Sequence, residues 1–190
     1  MRTEENTERA FRPSVSRGQF FCLAEFGFGS DEIKVRDQQY EAEAALHKAV
    51  ALQPAAARVH VYLTTIHVLR GNATGALQDA QLEPPGSWRD YALALARVTQ
   101  SDRAAADAAL QKLINENAET SPFQIAAVYG LRNEPDKMFE WLDRAYIERD
   151  SGLTQLLVTP FILNHKNDPR FAAFCQKLKV PVPTTVVTKP

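Results

Sequence analysis

The chain has 190 residues, with 22 Lys+Arg against 23 Asp+Glu and a formal net charge of -1. That balance, with a pI of about 6.4, excludes a global electrostatic pull toward nucleic acid or acidic membranes. The content of 45% hydrophobic and 24% charged residues is that of an ordinary globular protein.

Cys22 and Cys175 are too few and too far apart to specify a disulfide framework or a zinc site. The start MRTEENTERAF lacks a signal-peptide pattern, and no 18-residue apolar stretch occurs, so a cytoplasmic protein without membrane contact is expected.

Residues 1–36 read as an N-terminal arm, partly disordered. Residues 1–18 are polar and aperiodic, whereas Gln19 to Gly29 carries Phe20, Phe21, Phe26 and Phe28 and suits either a short strand or a helix packing under the first helical unit. From Asp37 to Gln53, Tyr40, Ala42, Ala45, Leu46, Ala49, Val50 and Leu52 recur at helical spacing until Pro54. A second helix is expected from Ala56 to Leu69, ending at Gly71. A third, Thr74 to Leu82, is cut short by Pro84, Pro85 and Gly86.

Trp88 to Gln100 predicts the next helix, and Arg103 to Asn117 its partner, with Ser101 or Asp102 as cap. Ser121-Pro122 signals another start, the hydroxyl as cap and the proline where its missing N–H costs nothing; that helix ends near Leu131. Asn133 and Pro135 open one running to about Glu148. Asp168-Pro169 repeats the start signal for Arg170 to Lys179, and residues 181–190 read as an extended tail. Strand patterning is absent, so the expected class is all-α, with helices paired antiparallel.

Ala42, Ala76, Ala106 and Met138 each head a segment with apolar or small residues four and seven positions on, and these starts lie 34, 30 and 32 residues apart. Such a period is the length of a helical hairpin. Ala42-x3-Leu46-x2-Ala49-x4-Pro54 resembles the second helix of a tetratricopeptide repeat, and Leu63, then Ala126 with Tyr129, resemble its first helix. The resemblance covers roughly residues 38–150. It implies a right-handed α-solenoid of about three hairpins over residues 37–150, closed by a capping segment and helix over 151–180. The run from Phe123 to Phe161, with NDPRFAAFCQKLKVP after it, is similar to the C-terminal repeat region of bacterial multidomain regulators, which follows a cyclase, kinase or DNA-binding domain. His60, Thr64 and Glu83 depart from the repeat pattern, making the unit from Ala57 to Pro85 degenerate.

Chemistry is sparse. His60 and His67 share a helix face but are separated by about 10.5 Å of rise, too far to hold one metal ion, and both fall where the repeat places packing aromatics. The pairs Glu140 with Asp143 and Asp102 with Asp107 read as surface charge, and Cys175 as a buried, inert thiol. No phosphate-cradling, HExxH or GxSxG motif occurs. The expectation is therefore no enzyme, no cofactor and no metal.

The resemblance places a partner groove along the first helices: Arg58, Val61, Thr65 and Val68, then Trp88, Tyr91, Leu95 and Val98, then Phe123, Ala127 and Leu131. The groove would be apolar and aromatic, suited to a peptide or helix of a protein partner. Two alternatives stand beside this: a self-assembling homodimer, and the detached sensor half of a signalling protein.

Overall fold

The computed structural model describes residues 32–183, with side chains from Gln39 onward. The arm over residues 1–31, including the aromatic segment Gln19 to Gly29, and the tail from 184 lie outside the described residues. Among those described there are nine α-helices, one 3-10 turn and no strand. None of these helices is long and apolar enough to cross a membrane.

Helix α1 (Glu32–Leu52) starts five residues before the expected Asp37. Among its described side chains, from Gln39 onward, it buries only Leu46 fully, against Leu63 and Ile66 of α2 (Val59–Leu69), with Ala42 and Val50 half-buried alongside. Arg70 fastens the two helices: its guanidinium donates to Glu43 at 2.5 Å and lies 4.3 Å from the Tyr40 ring centroid.

Three helix pairs come next: α2 with α3 (Ala73–Leu82), α4 (Ser87–Val98) with α5 (Arg103–Asn117), and α6 (Pro122–Leu131) with α7 (Pro135–Ile147). Small residues let each pair approach closely. Ala76 and Ala80 on α3, and Ala92, Ala94 and Ala96 on α4, are wholly buried, as is Met138 on α7. Of the four repeat positions, Ala76, Ala106 and Met138 are core residues and Ala42 is half-buried. The first members touch in succession, α2 with α4 and α4 with α6, while α3 packs on α4 and α5 on α6. Central α6 is buried almost throughout, with Phe123, Ile125, Ala126, Ala127 and Val128 at 2% exposure or less.

Each pair is tied at one end by a polar link that the local sequence does not announce. Helix α2 begins at Val59, not Ala56, and has no side-chain cap of its own, because Arg58 turns into the left-handed region at φ 74°. Glu83, fully buried at the end of α3, accepts from the Arg58 N–H at 2.6 Å and the Val61 N–H at 3.3 Å. These are the two amides a capping box satisfies, here served by one carboxylate 22 to 25 residues away. Glu83, one of three residues that depart from the expected repeat pattern, is thus what caps α2.

In the next pair, Asp90 of α4 accepts from Lys112 at 2.5 Å and Asn117 at 3.3 Å, both on α5. In the third, the Ser121 hydroxyl makes no cap hydrogen bond, contrary to expectation. Asp150 takes that role, accepting from the Phe123 N–H at 2.9 Å and the Gly152 N–H at 2.7 Å. Asp102 and Asp168 do cap their own helices, through Ala105 N–H and Arg170 N–H.

Residues 151–168 hold a 3-10 turn (Ser151–Gln155) and the four-residue α8 (Pro160–Leu163), which packs on α6. Gly130 makes that approach possible, since a Cβ there would stand 2.6 Å from the Phe161 carbonyl oxygen. Helix α9 (Pro169–Leu178) closes the core with Phe171, Phe174 and Cys175. Arg170 and Lys177 bind it to α7 through Asp136 at 2.7 Å and Asp143 at 2.8 Å.

Candidate functional site

The expected groove residues fall into two groups. Arg58, Val61 and Thr65 of the α2 region meet Trp88 and Tyr91 of α4 and Phe123 of α6 around one open cleft. Leu95 and Ala127 are wholly buried and Val68 nearly so, so these three present no surface to a partner; Val98 and Leu131 are half-buried and lie outside the cleft. The opposite wall comes from Gln155, Val158, Thr159, Pro160 and Phe161, the stretch that brings α8 against α6. Part of the surface expected to receive a partner is therefore walled by the chain itself.

The cleft encloses about 40 Å³. Pockets that swallow small ligands run to roughly 300–1,000 Å³, so this one has room for a few atoms only. Its mouth is built by Arg58, whose guanidinium lies 5.2 Å from the Trp88 ring centroid. Trp88 meets Tyr91 edge to face, with centroids 6.3 Å apart and planes at 67°. Glu83 fixes this arrangement indirectly, by holding the Arg58 backbone. Burial raises the Tyr91 hydroxyl well above the ordinary phenol range, so it stays protonated at physiological pH.

Tyr62, Gln124, Gln155 and Thr159 line the same space as the aromatics, and the surface of the cleft is mainly apolar. Among the described residues its lining has no carboxylate, imidazole or thiol, and so offers stacking and hydrogen bonding in place of a proton-transfer pair.

The histidines sit elsewhere, between α2 and α3. His60 Nδ1 is 2.9 Å from Asp79 Oδ1, and His67 Nε2 is 3.2 Å from Asp79 Oδ2. Asn72 uses its side-chain oxygen to cap Gly75 N–H, so its amide nitrogen donates to His67 Nδ1 at 3.1 Å. One carboxylate thus ties two histidines across the helix pair. No group of three His, Cys, Asp or Glu among the described residues has the arrangement to hold a metal.

The acidic pairs are engaged separately: Glu140 with Lys137, Asp143 with Lys177, Asp107 with Arg132, and Asp102 with a backbone amide. Cys175 is fully buried, and burial pushes its thiol up, away from the reactive thiolate. No family model matches the chain, and neither a curated protein nor a solved structure matches it.

Proposed function

We propose that the helix pairs form a tetratricopeptide-like right-handed solenoid and that the protein is a non-catalytic scaffold, binding a protein or peptide along the α2, α4 and α6 face. The observation that carries this reading is the convergence of half-buried Trp88, buried Tyr91 and Arg58 at one cleft between successive first helices. Tyr, Trp and Arg are the residue types that concentrate binding energy at protein interfaces. The succession of contacts from α2 to α4 to α6 to α8 supports a continuous face of this kind.

The test is affinity capture from the native cell, comparing the wild-type chain with Trp88→Ala, with circular dichroism confirming that both stay helical. The reading predicts partners captured by the wild type and lost with Trp88→Ala. Identical capture by both would refute the assignment of the face.

A second reading, self-assembly, is favoured by three strongly exposed large apolar residues at helix ends: Leu52 at 88%, Leu82 at 62% and Ile147 at 76%. Light scattering at tens of micromolar decides it, since a strict monomer excludes a homodimer.

A further inference from the structure

Helix α3 shows which of its faces turns toward the first helix of its pair. Asp79 reaches His60 and His67 of α2, and Glu83 reaches the Arg58 and Val61 amides. Ala76, Asp79 and Glu83 therefore form one stripe along α3, at helical spacing of three and four. The stripe recurs in the same register as Ala106, Ala109 and Leu113 on α5 and as Met138, Trp141 and Ala145 on α7. In all three helices its first and last members are buried and its middle one is half-buried.

On α1 the same register gives Ala42, Ala45 and Ala49, and there the cover is incomplete. Ala42 and Ala49 are only half-buried, Ala45 is exposed, and Leu52, the next position along the stripe, is strongly exposed. Leu46 and Glu43, by contrast, meet α2 and Arg70. Helix α1 is thus packed on the side of the helix that follows it and open on the side where a first helix of its own would stand. Among the described residues no element precedes it.

The chain just upstream has the composition to cover that face. Phe20, Phe21, Leu23, Phe26 and Phe28 fall within residues 19–29, where Glu25 is the single charge. So many large apolar side chains are costly to leave in water. Ser30 and Asp31 alone separate the stretch from Glu32, where α1 begins. Ala42 lies about 15 Å along α1 from Glu32, and Ala49 about 26 Å. Residues 19–29 would span about 16 Å as a helix and about 36 Å as an extended chain, so either conformation returns to the level of Ala42.

We propose that residues 19–29 dock on α1 of the same chain, over Ala42, Ala45, Ala49 and Leu52, in the place that a first helix takes in each later pair. The inference rests on the repeat register of the solenoid reading. Its tether gives this segment a millimolar effective concentration, an advantage that a second copy or a separate partner lacks. Docked there, it starts the succession of α2, α4 and α6 one element earlier and brings its aromatics to the partner face.

The test is thermal unfolding of the full chain. Phe21→Ser combined with Phe26→Ser should lower the midpoint by about 5 °C, because a docked segment loses two covered rings. Ala45→Arg should lower it similarly, although arginine at an uncovered helix position costs almost nothing. His47→Arg, at an exposed position on the far side of α1, should leave the midpoint unchanged. Adding Ala45→Arg to the serine pair should cost less than about 1 °C more, since both remove the same contact.

An unmoved midpoint in the serine pair, equal effects of Ala45→Arg and His47→Arg, or additive losses would overturn the proposal. A wild-type midpoint that falls on dilution, while that of the serine pair does not, would overturn the same-chain occupant in favour of a second copy. Partner capture that still depends on Trp88 while the serine pair has no effect sinks this inference and leaves the scaffold reading standing.

Discussion

Glu83 and Arg58, 25 residues apart, meet with the carboxylate accepting the Arg58 backbone N–H at 2.6 Å. The contact does two things at once. It caps α2, which lacks a side-chain cap of its own, and it holds Arg58 in a left-handed conformation from which the guanidinium reaches the Trp88 ring. Glu83→Ala should destabilise the fold by about 2–3 kcal/mol, because two amides lose a charged acceptor. Glu83→Gln, retaining one acceptor oxygen, should cost about half as much. Urea unfolding checks both, and an alanine variant within about 0.5 kcal/mol of wild type would contradict the capping role.

Asp150 performs the matching task for α6 through the Phe123 N–H. Asp150→Ala should cost about 1–2 kcal/mol, in the usual range for a lost helix cap. The pairs tied by Glu83 and Asp150 share no residues, so the double variant should show additive losses within about 0.5 kcal/mol. Marked non-additivity in the same unfolding experiment would show that the two helix pairs are coupled more tightly than their caps suggest.

Gly130 lies where α6 meets the Phe161 backbone. A methyl group there would stand 2.6 Å from the Phe161 carbonyl oxygen and 3.1 Å from the Met138 sulfur. Gly130→Ala should therefore cost about 1–3 kcal/mol and loosen the 155–161 wall. Gly71 is the contrast: it has φ 69° and nothing within 4 Å of an added Cβ, so Gly71→Ala carries only the left-handed backbone penalty of about 1–2 kcal/mol. Thermal unfolding ranks the two, and amide exchange in 155–161 should rise only for Gly130→Ala.

Arg170, through its side chain first and its backbone N–H as well, holds the Asp168 carboxyl down to about 2 from an ordinary 3.8. A lowered folded-state value means that this carboxylate adds stability above pH 3.8 and that the contribution fades as pH falls toward 2. The stability gap between wild type and Asp168→Asn should accordingly be widest at neutral pH and shrink across that acid window. A gap that stays constant from pH 5 to pH 2 would contradict the ion pair. Because Asp168 is half-buried and its partner Arg170 is exposed, water still reaches the pair and the gap should also narrow with added salt.

What the sequence revealed depended on how far apart the cooperating residues lie. Asp168-Pro169 carries cap and first-turn proline side by side, and α9 starts there. Ser121-Pro122 marks the start of α6 equally well, but the capping carboxylate arrives from Asp150 on another element, where no local pattern could point to it. Asp79 is hidden in the same way, since it joins His60 and His67 from the facing helix. Helix α8 is one turn long, too short for apolar periodicity to register. Arg58, Trp88 and Phe123 could be placed near one another by repeat phase. The facing wall from Gln155 to Phe161 could not, because it comes from a segment outside the repeat.

The most direct measurement of the central claim is amide hydrogen exchange of the chain alone and in complex with a captured partner. Binding along the first-helix face predicts new protection in α2 and α4 and in residues 155–161, centred on the turns that carry Arg58 and Trp88. Protection confined to α3, α5 and α7, with those turns unchanged, would contradict it.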